Sequence, residues 1–127
     1  MRAVLDEIDW LHDADCLSIT VDTKDDGLRT LRLDVDVNPD TGNPALDGKR
    51  LQFVARGVGA LELRTYKIQG RQTIDFFKRR AEPSESFRRD RRLAKTLADM
   101  PEYVICFHSG EHLGFICAEL LVDERAS

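Results

Sequence analysis

The chain has 127 residues, with 19 basic and 23 acidic side chains and a formal net charge of −4. At 42% hydrophobic and 33% charged residues, it reads as one ordinary globular domain over residues 1–127, neither disordered nor membrane-embedded. No apolar run reaches the roughly 18 residues that a spanning helix needs. MRAVLDEIDW lacks the apolar stretch of a secretory signal, so a cytoplasmic location is expected.

In chain order, Val4, Leu5, Ile8 and Leu11 recur at helical spacing and predict a short N-terminal helix. From Cys16 the period drops to two: Leu17, Ile19 and Val21 alternate with Ser18, Thr20 and Asp22. Lys24-Asp25-Asp26-Gly27 supplies a turn, after which Leu31, Leu33, Val35 and Val37 resume the alternation, so the two runs predict a hairpin. Residues 38–48 are turn chemistry throughout. Strand character returns at Leu51, Phe53 and Ala55, breaks at Gly57 and Gly59, and resumes at Leu61 and Leu63. Residues 68–77 predict another strand. Pro83-Ser84-Glu85-Ser86 opens a predicted helix over 84–100 that ends before Pro101. Strands over 103–108 and 112–122 flank a tight turn at Ser109-Gly110. Connections this short do not fit repeated parallel crossovers. The expected fold class is therefore α+β, a mainly antiparallel sheet with one amphipathic helix packed on a face.

The small net charge is a cancellation. Residues 1–48 carry four basic and twelve acidic groups, residues 49–95 fourteen and five, and residues 96–127 one and six. On a helical wheel Phe87, Leu93, Ala94, Leu97, Ala98 and Met100 share one side, while Arg88, Arg91, Arg92 and Lys95 share the other. That basic stripe is a candidate surface for phosphates, for an acidic protein, or for an acidic patch on a second copy of the chain. Local pairing, such as Glu85 with Arg89, is the competing use of the same charges. Overall acidity and the lack of aromatics between the arginines argue against a dedicated nucleic-acid surface. Polyanion or nucleic-acid binding through 78–95 is kept as the alternative.

The remaining motifs fall short of the chemistry they suggest. His108-Ser109-Gly110-Glu111-His112 spells H-x-x-E-H, but that zinc motif needs a helix, and here it spans a turn between two alternating runs. The segment from Asp36 to Asp47 imitates a calcium loop but has Thr41 where such loops need glycine. Gly57-Val58-Gly59 lacks the third glycine and following helix of a dinucleotide loop and reads as a bend or bulge. Cys16, Cys106 and Cys117 are odd in number and form no C-x-x-C pair, which predicts core thiols. A metal-dependent enzyme would require His12, His108 and His112 to converge. With no nucleophile elbow and no adjacent Cys/His pair, the chain is read as non-enzymatic and without a cofactor.

One stretch carries a likeness. His12-Asp13-Ala14-Asp15-Cys16-Leu17-Ser18-Ile19 gives HDA-x-x-x-S-I at the start of a strand. Leu31-Arg32-Leu33-Asp34-Val35 follows, and then Leu51-Gln52-Phe53 through Gly57-Val58 to Leu61-Glu62-Leu63. Over residues 9–75 this resembles small bacterial families whose members begin with a W/F-x-HDA strand, including a group proposed as immunity proteins of polymorphic toxin systems. The resemblance implies an antiparallel sheet and a non-catalytic binding protein, with His12 and Asp13 as the residues that carry over. Side chains of this kind commonly bond backbone at the start of a strand. The expected function is an immunity-like protein-binding domain that neutralises a partner, toxin-like or self, by charge complementarity. Its acidic N-terminal residues Asp6, Glu7, Asp9, Asp13 and Asp15 would face a basic partner.

Overall fold

The strictest alternation in the chain becomes a strand whose Leu31, Leu33 and Val35 are buried, while Arg32, Asp34 and Asp36 are partly exposed. The computed structural model describes residues 1–4, 7–23, 29–39, 44–64 and 72–125. Its strands are β1 (Arg2–Ala3), β2 (Asp15–Thr23), β3 (Arg29–Asp36), β4 (Arg50–Arg64), β5 (Gln72–Arg79), β6 (Glu102–Phe107) and β7 (His112–Arg125). All pairings are antiparallel, in the order β1-β7-β4-β3-β2-β5-β6, and β6 pairs back onto β7. Strands β2 to β7 thus close a six-stranded barrel, with β1 added outside along the C-terminal part of β7. The expected antiparallel sheet is present; its closure leaves no free edge within the ring.

Closure is uneven. β4 and β7 pair along nearly their whole length, from Arg50 opposite Arg125 to Arg64 opposite His112. Among the described residues β2 meets β5 at Asp15–Thr73 and Cys16–Gln72. Two backbone bonds extend that seam: Asp13 N–H donates to Ile74 O at 2.8 Å and Ile74 N–H to Ala14 O at 2.7 Å.

The interior is filled by side chains. Phe77 sits among Phe53, Tyr103 and Phe115, with ring centroids 5.4, 6.4 and 6.4 Å away, and Tyr103 stacks on Phe115 at 5.5 Å. Offset and edge-on arrangements of this kind add to the area these rings bury. Cys16 and Cys117 are buried in the same core.

Two departures from the predicted pattern have local causes. In β2 the register slips between Cys16 and Ser18, so Cys16 turns inward, Ile19 packs against the core, and Val21 stays exposed. The break foreseen at Gly57 and Gly59 is a bulge inside one continuous strand: the register shifts between Val58 and Ala60. Gly57 has φ +63°, which a side chain would strain. Gly59 leaves room for Leu97, since a Cβ there would run into Leu97 Cδ2.

The predicted helix over 84–100 is replaced by three short pieces. A 3-10 turn covers Glu85–Phe87, α1 covers Arg88–Leu93, and a second 3-10 turn covers Lys95–Asp99. Ala94, extended at φ −131° and ψ 100°, makes the break. Like charges three and four residues apart at Arg88, Arg89, Arg91 and Arg92 oppose a longer helix. The bent path seats Phe87 against Gly114 and Leu97 against Gly59, on the outside of β4 and β7. Phe87, Leu97, Ala60 and Ile116 form this second cluster, with Ala94 and Met100 against it. Leu93, predicted on the apolar face, is 77% exposed. The predicted N-terminal helix is a single 3-10 turn over Glu7–Trp10. The strand predicted from residue 68 is described from Gln72 on, and the turn at 24–27 and part of the calcium-like loop lie outside the described residues. No described helix is long and apolar enough to cross a membrane.

Phe77→Ala is expected to lower the stability to unfolding by about 3–5 kcal/mol, the range for deleting a fully buried aromatic ring. A urea titration followed by near-UV circular dichroism measures this directly.

Candidate functional site

The β2–β5 seam gathers the polar chemistry. His12 and Asp13 lie just before β2, Asp75 lies on β5, and His108 follows β6. Each is placed by backbone. Asp13 takes φ +66°, and its carbonyl accepts a bond from Asn38 Nδ2 while its N–H holds Ile74. Asparagine and aspartate tolerate this left-handed conformation better than most residues. Asp75 is the extra residue of a bulge between Ile74 and Phe76, so Ile74 and Phe77 both face inward and Asp75 is carried to the outside. The His108 N–H donates to Thr73 O at 2.9 Å, tying the β6–β7 turn to β5. That turn closes with Gly110 N–H on Phe107 O at 2.9 Å, Gly110 taking φ +89°.

The side chains then meet. Asp13 Oδ2 is 3.2 Å from His12 Nδ1, and Asp13 Oδ1 is 3.1 Å from His108 Nε2. His12 Nε2 is 3.7 Å from Asp75 Oδ1, and the two imidazole centroids are 5.7 Å apart. One ring nitrogen of each histidine and one oxygen of Asp75 all lie within 4.8 Å of one another. The group is surface-facing, with side chains 65% (His12), 50% (Asp75) and 46% (His108) exposed. It borders a cleft of about 320 Å³ lined by Ile8, Asp9, Phe76 and Lys78. Lys78 Nζ lies 4.9 Å from the Phe76 ring centre. Asp15, beside the group but buried, accepts a bond from Thr73 Oγ1 at 3.1 Å.

Two of the three histidines considered in sequence therefore converge. His112 starts β7 opposite Cys106 and stands outside the group, while Asp75 joins it. The H-x-x-E-H run spans a hairpin turn. Asp75 escaped the sequence reading because a bulge breaks strand periodicity. The available signal was Ile74 and Phe77 spaced by three, with a lone acid between them.

The basic stripe divides. Arg91 turns inward, its side chain 11% exposed: Nη1 donates to Leu97 O at 2.6 Å and Ala98 O at 3.1 Å, and Nη2 to Glu102 Oε1 at 3.1 Å. Glu102, 4% exposed, also accepts the Ser84 N–H at 3.2 Å and lies 3.6 Å from Arg80 Nε. Arg88, Arg92 and Lys95 are exposed, Arg88 within 3.5 Å of Glu85. The expected partner of Glu85 was Arg89; the pair formed is with Arg88.

Burial pushes the Cys16 and Cys117 thiols up to about 12, and burial also raises Cys106. No family model, curated protein or solved structure matches the chain.

Two outcomes follow from these placements. Arg91→Ala takes from the buried Glu102 its closest cation and is expected to cost about 3 kcal/mol of stability, while Arg92→Ala stays within about 0.5 kcal/mol; denaturant midpoints compare them. Cys16 and Cys117 remain protonated in the native state between pH 9 and 12, where the unfolded chain loses those protons. Their contribution to stability is thus full below pH 9 and falls as pH rises toward 12. Urea midpoints across this range should fall less steeply in a Cys16→Ala/Cys117→Ala variant, and the native thiols should resist modification at pH 8.

Proposed function

We propose that the chain is a non-enzymatic, immunity-like protein-binding domain of the cytoplasm, and that it meets an acidic partner surface through α1. The observation that carries this reading is the division of the arginines. α1 buries none of its six residues, yet Arg91 locks it to the barrel through two carbonyls and the buried Glu102. A segment that adds little to the core is thereby held in one position, presenting Arg88, Arg89 and Arg92 outward, with Lys95 exposed at the start of the following turn. Arg89, Arg92 and Lys95 have no ion-pair partner among the described residues. Arginine fixed in place recognises carboxylates in bidentate fashion and loses little freedom on binding.

The acidic N-terminal residues fit a partner contact less well. Asp13 is engaged by two histidines and Asp15 is buried. Asp6 and the side chain of Glu7 lie outside the described residues. The filled barrel interior directs recognition to the outer surface.

The test is co-purification of the tagged chain with the products of adjacent genes at low and high salt. A complex with an acidic neighbour is expected, weakening with salt, and weakened about tenfold or more in Arg89→Glu/Arg92→Glu. No complex with any neighbour, or one indifferent to the double reversal, overturns the reading. Tighter salt-dependent capture of a fluorescent oligonucleotide than of any neighbour transfers α1 to polyanion binding.

A further inference from the structure

We propose that His12, Asp75 and His108 form a binding site for a divalent transition-metal ion such as Zn²⁺, with Asp13 as the outer carboxylate that orients both rings. The donor set is two imidazole nitrogens and one carboxylate oxygen, a combination that suits zinc, cobalt or nickel better than calcium or magnesium, which favour all-oxygen shells. Tetrahedral zinc with bonds near 2.1 Å places its ligands about 3.4 Å apart. His12 Nε2 and Asp75 Oδ1 are already 3.7 Å apart, and all three donors lie within 4.8 Å. Small rotations of half-exposed side chains close the remaining distance.

The support around the donors is also of the kind metal sites use. Ligating histidines commonly hand their second nitrogen to a carboxylate, which fixes ring orientation. Asp13 meets both rings, one oxygen to each, at 3.2 and 3.1 Å. The three donors come from three chain segments, and backbone bonds tie those segments together: Asp13 to Ile74, and His108 to Thr73. Residues 12, 75 and 108 are therefore held in register before any ion arrives, which limits the ordering that binding requires. Three protein ligands leave a position for water or for an incoming oxygen donor, and His12 and Asp75 also line the adjoining cleft.

The experiment is titration of the full chain with Zn²⁺ at neutral pH against a chromophoric chelator, alongside two-dimensional NMR of the histidine rings. One equivalent is expected to bind, shifting the ring signals of His12 and His108 and not those of His112. His12→Gln, Asp75→Asn and His108→Gln should each weaken binding more than tenfold, Asp13→Asn by about tenfold, and His112→Gln hardly at all. Circular dichroism confirms that these exposed substitutions leave the fold intact, and the NMR shifts in the unaltered chain need no variant. Absence of saturable binding at millimolar Zn²⁺, shifts centred on His112, or affinity unchanged in His108→Gln overturns the site. None of these outcomes depends on α1 or on a partner protein, so the two proposals stand or fall separately.

Discussion

An antiparallel barrel closes only if every strand finds both neighbours, and among the described residues the β2–β5 junction has two residue pairs. Much of the polar and irregular structure gathers at it. Asp13 adopts a left-handed backbone so that its N–H can reach Ile74, Asn38 secures the carbonyl left behind, and the β6–β7 turn leans on Thr73. The same backbone adjustments that complete the hydrogen-bonding ring project His12, Asp75 and His108 toward one point. Structure and candidate site share one cause: irregular residues extend this seam, and those residues carry side chains with ligand chemistry.

How much of this was legible follows from periodicity. β3, β6 and β7 lie within a residue or a few of their predicted ranges because strict alternation fixes which face of a strand is buried. The bulges at Leu17, Gly59 and Asp75 each shift that alternation by one residue. The sequence reading therefore turned Leu17 inward in place of Cys16, divided β4 in two, and passed over Asp75. His12 and Asp13 were legible only as a short resemblance, and their meeting with His108 is a fact of topology that no local pattern encodes. Closure of the sheet into a ring was likewise invisible, since pairing between β2 and β5 spans residues far apart in sequence.

The helix shows a different limit. A wheel plot placed Arg91 with the outward arginines because it assumed unbroken helical geometry to residue 100. The break at Ala94 folds the following turn back, so that carbonyls of Leu97 and Ala98 become Arg91's partners. The segmental charges therefore neutralise one another only in part. Glu102 takes up Arg91 and draws in Arg80, and on β7 Glu119 and Glu124 pair with Arg56 on β4 and Lys49 just before it. The arginines of α1 that face solvent keep their charge available.

The long final strand has a consequence for how the molecule comes into being. β7 lies along β4 on one side and along β6 and β1 on the other. Of the described elements it is the last to leave the ribosome, and until it does, β4 presents fifteen residues of backbone with one edge unpaired. Exposed edges of that length recruit other strands, and pairings distant in sequence form slowly. A nascent chain stalled before residue 112 would hold a curled, open sheet, with Phe77 and Tyr103 lacking Phe115 against them. Folding of this barrel consequently waits for β7, and the interval before it is when the chain most needs protection from its own kind.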